Sequence, residues 1–234
     1  MDRGRASRFL CHAILTACMA SVCLAWSGRL AAQASADEAL AALENRLVNA
    51  RSVSFRFQIR AVGAVDATLA GRAVIGPGKT ARIVADGSFA GSGASIRLDA
   101  DDQSMRGSNG EARFAEASPP AIAEGLLIGL TRMGLLHNLA VLSAGSPPDR
   151  TDGTVRDWVQ YADVALKSEE PADGAATRRF SFTVVVGGQP SAIAELWVDT
   201  ASGLPARRLQ VVSFPEGEMR VLEQYSDFVL EAGP

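Results

Sequence analysis

A change of hydrophobic period constrains this chain more than any other feature. Val53, Phe55, Phe57 and Ile59 alternate with Ser54, Arg56, Gln58 and Arg60, so an extended backbone there has one apolar and one charged face. The same two-residue rhythm predicts strands over Ala67–Ile75, Thr80–Phe89 and Ala94–Ala100, with a weaker one at Ala112–Ala115. It returns over Val155–Leu166, Thr177–Val186, Ser191–Asp199, Pro205–Phe214 and Met219–Leu230. Gly76-Pro77-Gly78, Gly91-Ser92-Gly93, Gly187-Gly188-Gln189-Pro190, Ser202-Gly203-Leu204-Pro205 and Pro215-Glu216-Gly217 supply the turns. Nine or ten strands joined by short turns make an antiparallel meander. Arg72, Arg82 and Arg97 fall on its solvent side.

Two segments keep a helical period instead. Ala36, Leu40, Leu43, Leu47 and Val48 form an apolar stripe, with Asp37 as the cap and Glu38, Glu44 and Arg46 on the opposite side. Between Ser118-Pro119-Pro120 and Pro147-Pro148, residues 121–142 are apolar nearly all round, and Gly134 is the expected break between two helices. Such a segment is buried, crosses a membrane or covers an apolar space. Crossing is disfavoured by Glu124 and Arg132, each costing about 2.5–3.5 kcal/mol at mid-bilayer. Gly125 and Gly129 are spaced to let a helix sit close to a sheet. No linker of disordered composition separates the two strand-rich halves, so residues 35–234 are expected to form a single domain with a helical lid at about 119–144. The fold class expected is α+β: a large curved antiparallel sheet, an unclosed β-barrel, with the N-terminal helix and the central helical insert covering its concave face.

Residues 1–34 read as a secretory signal peptide: Arg3, Arg5 and Arg8, an uncharged apolar run from Phe9 to Trp26, then small residues fit for cleavage after Ala34 or Ala36. That makes the protein periplasmic. The alternative is a lipid anchor on Cys18 in Leu15-Thr16-Ala17-Cys18. Cys11, Cys18 and Cys23 all fall in this segment, so the exported chain must fold without disulfides or thiolate-bound metal. Its removal leaves 19 basic against 25 acidic groups, a net charge of −6. A field of that sign does not hold a phosphate backbone, and no nucleic acid partner is expected.

The motifs that carry chemistry are absent. His137 is the only histidine beyond the signal segment; it reads as a packed or lid-edge residue, and metal spacings are missing. No nucleophile elbow, phosphate-cradling loop or dinucleotide fingerprint occurs. Asp99, Asp101 and Asp102 fail as a calcium loop, because Ser104 and Gly110 stand where glycine and glutamate are needed, and they read as a hairpin corner. Glu169-Glu170 before Pro171 reads as an exposed loop, and Trp158, Tyr161 and Trp197 as core aromatics. No catalytic residue, cofactor or metal is assigned, and the chain is not expected to be an enzyme.

The order of elements, together with Glu195-Leu196-Trp197-Val198-Asp199-Thr200-Ala201-Ser202-Gly203-Leu204-Pro205-Ala206-Arg207-Arg208-Leu209, resembles the LolA-like superfamily of periplasmic lipoprotein carriers and related uncharacterised periplasmic proteins. The resemblance implies an unclosed barrel with an apolar interior shielded by helices. It implies a carrier or binding protein for a lipid or an acylated protein; the chain is expected to be a monomer. The candidate hydrophobic lining is Phe55, Phe57, Ile59, Leu126, Leu127, Leu130, Phe180 and Phe182. The alternative is an envelope interaction or stress-sensing module with an envelope protein partner and no lipid. The carrier's arginine that latches the lid has no counterpart here: Gly76 of Ile75-Gly76-Pro77-Gly78 occupies its place.

Overall fold

A computed structural model describes residues 35–110, 113–143, 154–172, 174–215 and 217–233. Residues 1–34, with Cys18 and the expected cleavage site after Ala34, lie outside the described residues, whereas the alternative site after Ala36 falls within the first described helix, where Ala36 is buried. The described residues open with helix α1 (residues 35–48) and six strands: β1 (Ser52–Gly63), β2 (Ala67–Ile75), β3 (Ala81–Phe89), β4 (Ser92–Ala100), β5 (Ser104–Ser108) and β6 (Arg113–Ala117). Helices α2 (Ile122–Arg132), α3 (Leu135–Ser143) and the single turn α4 (Val155–Trp158) follow. Five strands close the chain: β7 (Val159–Ala172), β8 (Ala175–Val186), β9 (Gln189–Asp199), β10 (Pro205–Phe214) and β11 (Gly217–Glu231).

All eleven described strands form one antiparallel sheet in the order β6-β5-β4-β3-β2-β1-β11-β10-β9-β8-β7. Strands β6 and β7 are its free edges, so the barrel is unclosed. The first and last strands meet at the centre, Phe57 opposite Tyr225 and Ala61 opposite Val221. On β1 the inward residues Val53, Phe55, Phe57, Ile59 and Ala61 are buried, and Arg56, Gln58 and Arg60 face water, as the alternation requires. Ile83, Leu98, Phe180, Phe182, Leu196 and Val198 continue the apolar side under the helices in one core cluster. The β8–β9 turn is the two residues Gly187 and Gly188, at φ 57° and 79°, the left-handed pair that a tight hairpin needs.

Several expectations are corrected. Asp37 lies inside α1 rather than capping it. Glu44 is fully buried on the apolar side of α1 beside Leu40, Leu43 and Leu47, where Arg132 partners it. Ser104–Ser108 is a strand of its own; Met105 is its only large apolar residue, too little to mark a period. Residues 155–158 turn helically before β7 begins, because the Asp157 carboxylate accepts the backbone N–H and hydroxyl of Thr154. Strand β7 runs through Pro171 to Ala172, which an edge strand tolerates. Gly129 makes room for α3, not for the sheet: a Cβ there would lie 2.2 Å from the Asn138 amide.

Candidate functional site: the underside of the helical lid

The lid is held to the sheet by buried polar groups. Register places Arg208 of β10 opposite Glu223 of β11, both facing inward and both fully buried. Arg208 donates Nη2 to the Arg132 carbonyl at 2.6 Å and Nε to the Thr131 carbonyl at 3.3 Å. A cation thus meets the last carbonyls of α2, where the helix dipole is negative. Glu223 accepts the N–H groups of Leu135 and Leu136 at 2.9 and 2.8 Å, an anion at the start of α3. Gly134, at φ +88°, is the joint between the two helices. A Cβ there would come within 2.7 Å of Arg208 Nη1 and 2.9 Å of Glu223 Oε1.

Gln210 Oε1 accepts from Arg208 Nη1 at 2.6 Å, and the Tyr225 hydroxyl donates to Glu223 Oε2. Burial pulls the Arg208 guanidinium below its ordinary pKa while Glu223 opposes the shift. Burial, reinforced by Glu223, pushes the Tyr225 phenol well up, so it stays a neutral donor.

A second buried contact ties α1 to α2. Arg132 donates Nε and Nη2 to the two oxygens of Glu44, each at 2.7 Å, the bidentate arrangement that suits a buried carboxylate. Thr131 Oγ1 adds a hydrogen bond at 2.9 Å. The Arg132 guanidinium also lies 4.6 Å from the Tyr161 ring centroid. This partnering explains why Glu44 sits in the apolar stripe.

Phe55, Phe57, Ile59, Leu126, Leu127, Leu130, Phe180 and Phe182 are all buried in the common core. Phe55 packs with Phe57 and Phe228, and Phe182 with Tyr161, at ring-centroid separations of 6.3, 4.8 and 6.1 Å. None of the eight borders the hollow beneath α3. That hollow, about 370 Å³, lies between α3 and the ends of β2–β4. Its floor is Leu69 and Ile96 and its roof Leu136, Leu139 and Ala140, with Phe89 and Ala94 at the side and Ser92, Gly93 and Asn109 at the rim. His137, on α3, is half-buried with its ring 6.4 Å from Trp158. Burial, with the Arg208 charge, lowers its pKa.

Sequence reasoning missed Arg208, Glu223, Gln210 and Tyr225 as lid-holding residues. The alternation did contain a signal: the inward positions of β10 and β11 carry Arg208, Gln210 and Glu223, while Leu209 and Leu222 take the outward phase. Among the described residues no group of three His, Cys, Asp or Glu is placed to hold a metal, and no helix is long and apolar enough to cross a membrane.

Fold and site together define an α+β protein with an unclosed antiparallel barrel and a helical lid pinned over one face. No protein-family model and no curated protein matches the chain. Solved structures similar to it include LprF from Mycobacterium bovis, with a TM-score of 0.49, 12% identity and coverage of 83% of this chain and 92% of that one. MucB is also similar, with a TM-score of 0.44 and 18% identity, over 86% of this chain but only 60% of MucB. A LolA superfamily protein from Nitrosomonas europaea has a TM-score of 0.35 at 12% identity, covering 85% and 94% of the two chains.

Proposed function

We propose that this is an exported, periplasmic binding protein, not an enzyme, that takes a single apolar chain such as a lipid acyl group into the hollow beneath α3. The observation that carries this reading is the hollow itself. Its floor and roof are aliphatic, its rim is polar, and about 370 Å³ falls at the lower end of ligand-site volumes. Each methylene buried there contributes about 0.8 kcal/mol.

The pinned joint between α2 and α3 shapes how such a ligand enters. Opening the whole lid would strip Arg208 and Glu223 of their helix-end partners, whereas displacing α3 at its far end leaves both in place. Entry at the Ser92-Gly93 rim is therefore the route that this reading favours.

Delipidated protein titrated with palmitate should gain thermal stability, by RT ln(1 + [L]/Kd), and native mass spectrometry should show one chain per protein. Ala140→Phe, which fills the hollow from its roof, should abolish the gain while the protein stays folded. A wild-type protein that neither retains nor is stabilised by any single-chain lipid would overturn the reading.

A further inference from the structure

The opposite side of the sheet carries a long groove. One stretch of about 900 Å³ runs from Ala206 of β10 over β11, β1 and β2 to Val84 of β3. A second, about 620 Å³, continues from Val84 over β4 and β5 to Ala115 of β6. Val84 borders both, so the groove crosses eight neighbouring strands, about 34 Å at ~4.8 Å per strand.

Its charge is opposite to that of the molecule. Arg56, Arg72, Arg82, Arg97, Arg106 and Arg113 line it against three carboxylates, Asp86, Asp99 and Asp227. Each carboxylate is already matched: Asp86 to Arg97 at 2.9 Å, Asp99 to Arg82 at 2.7 Å and Asp227 to Arg56 at 3.2 Å. Arg72 and Arg113 make no ion pair among the described residues, and Arg106 stands opposite Asp99, whose carboxylate Arg82 already holds at 2.7 Å.

The placing works against stability. Arg56 and Arg72 stand directly opposite each other on adjacent strands, where like charges are unfavourable. Register carries the same row on through Val84, Arg97 and Ser108 to Arg113. Toward β10 the groove changes character: Gln58, Gln224, Ser226, Ala70 and Ala206 line it, and Ala172 and Ala175, which flank the β7–β8 turn, border it from beyond β9.

The geometry points to a docking groove for an extended acidic segment of a partner polypeptide, acidic where it crosses β1–β6 and uncharged and small-residued where it crosses β11 and β10. At about 3.3 Å per residue the groove takes about ten residues. Arginine forks pair carboxylates bidentately. A flat bilayer does not enter a groove, and an anionic glycan has nothing to set against the alanine and glutamine end. The site lies on the far side of the sheet from the α3 hollow and stands independently of it.

The test is fluorescence anisotropy at low salt with a labelled peptide of about twelve residues, acidic over its first two-thirds and Gln, Ala and Ser over the rest. Comparison probes are its Asn/Gln counterpart, anionic phosphatidylglycerol vesicles and polygalacturonate. The acidic peptide should bind at least tenfold more tightly than its neutral counterpart and than either other polyanion, with affinity falling as salt rises. Arg72→Ala/Arg113→Ala should weaken it at least tenfold at unchanged Tm, and Arg220→Ala, outside the groove, should not. The inference is overturned if the double variant binds like the wild type, if vesicles or polygalacturonate bind as well as or better than the peptide, or if no probe binds.

Discussion

Arg208 and Glu223 face each other across β10 and β11, both withdrawn completely from bulk solvent. Removing one partner from such a pair leaves the other desolvated, which costs about 3–5 kcal/mol. Glu223→Ala should lose stability on that scale in urea titration. Arg208→Met/Glu223→Leu should lose far less than the two single losses combined, because the charges leave together. Gly134→Ala should cost more than ~1 kcal/mol, since it adds a Cβ against both groups at a positive φ. His137 sets a pH dependence of a different kind. Its native pKa lies below the ordinary 6.5 because burial disfavours the charged ring and Arg208 repels it. The unfolded imidazole therefore takes up a proton near pH 6.5 while the folded one does not. Stability should fall as pH drops through about 6.5 toward the native pKa, then level off. Thermal scans from neutral to mildly acidic pH should show that slope in the wild type and lose it in His137→Phe. Asp101 and Asp199 act lower on the scale: backbone N–H groups of Ser104 and Gln103, and of Ser202, hold their pKa values below 3.8, so their contribution is lost only as pH falls below that.

At the scale of elements, the strands were legible wherever one face is buried and the other wet. Residues 67–75 and 205–214 begin and end where the alternation does, and the break at Gly134 follows from its position in an otherwise unbroken apolar run. The Asp101 corner is a side-chain-closed turn, its Oδ1 accepting the N–H groups of Gln103 and Ser104 at 2.8 Å each. What stayed hidden depends on partners distant in sequence. Glu44 meets Arg132 88 residues away, and the α3 hollow is bounded by four separate elements, so no local pattern marks either. The eight candidate lining residues were recognisable as apolar and inward, but periodicity cannot separate the wall of a cavity from a packed core. Because α1 is tied to α2 through this buried contact, Glu44→Ala should destabilise the fold by about 3–5 kcal/mol. Glu38→Ala, on the exposed side of α1, should stay within about 0.5 kcal/mol; the pair of measurements separates loss of the contact from loss of helix.

Taken whole, the molecule is one sheet bent round one core, and most of its contacts join residues far apart in the chain. Such topologies fold slowly, over milliseconds to seconds. The seam between Ser52–Gly63 and Gly217–Glu231 lies in the middle of that sheet, with five strands on its far side and four beyond β11. The two halves are thus joined by the first and last of the described strands. Until β11 arrives, the central staves of the half-barrel have no neighbour on one side. Such a sheet stays unlocked however much of either half has formed, and snaps shut only when its two ends meet.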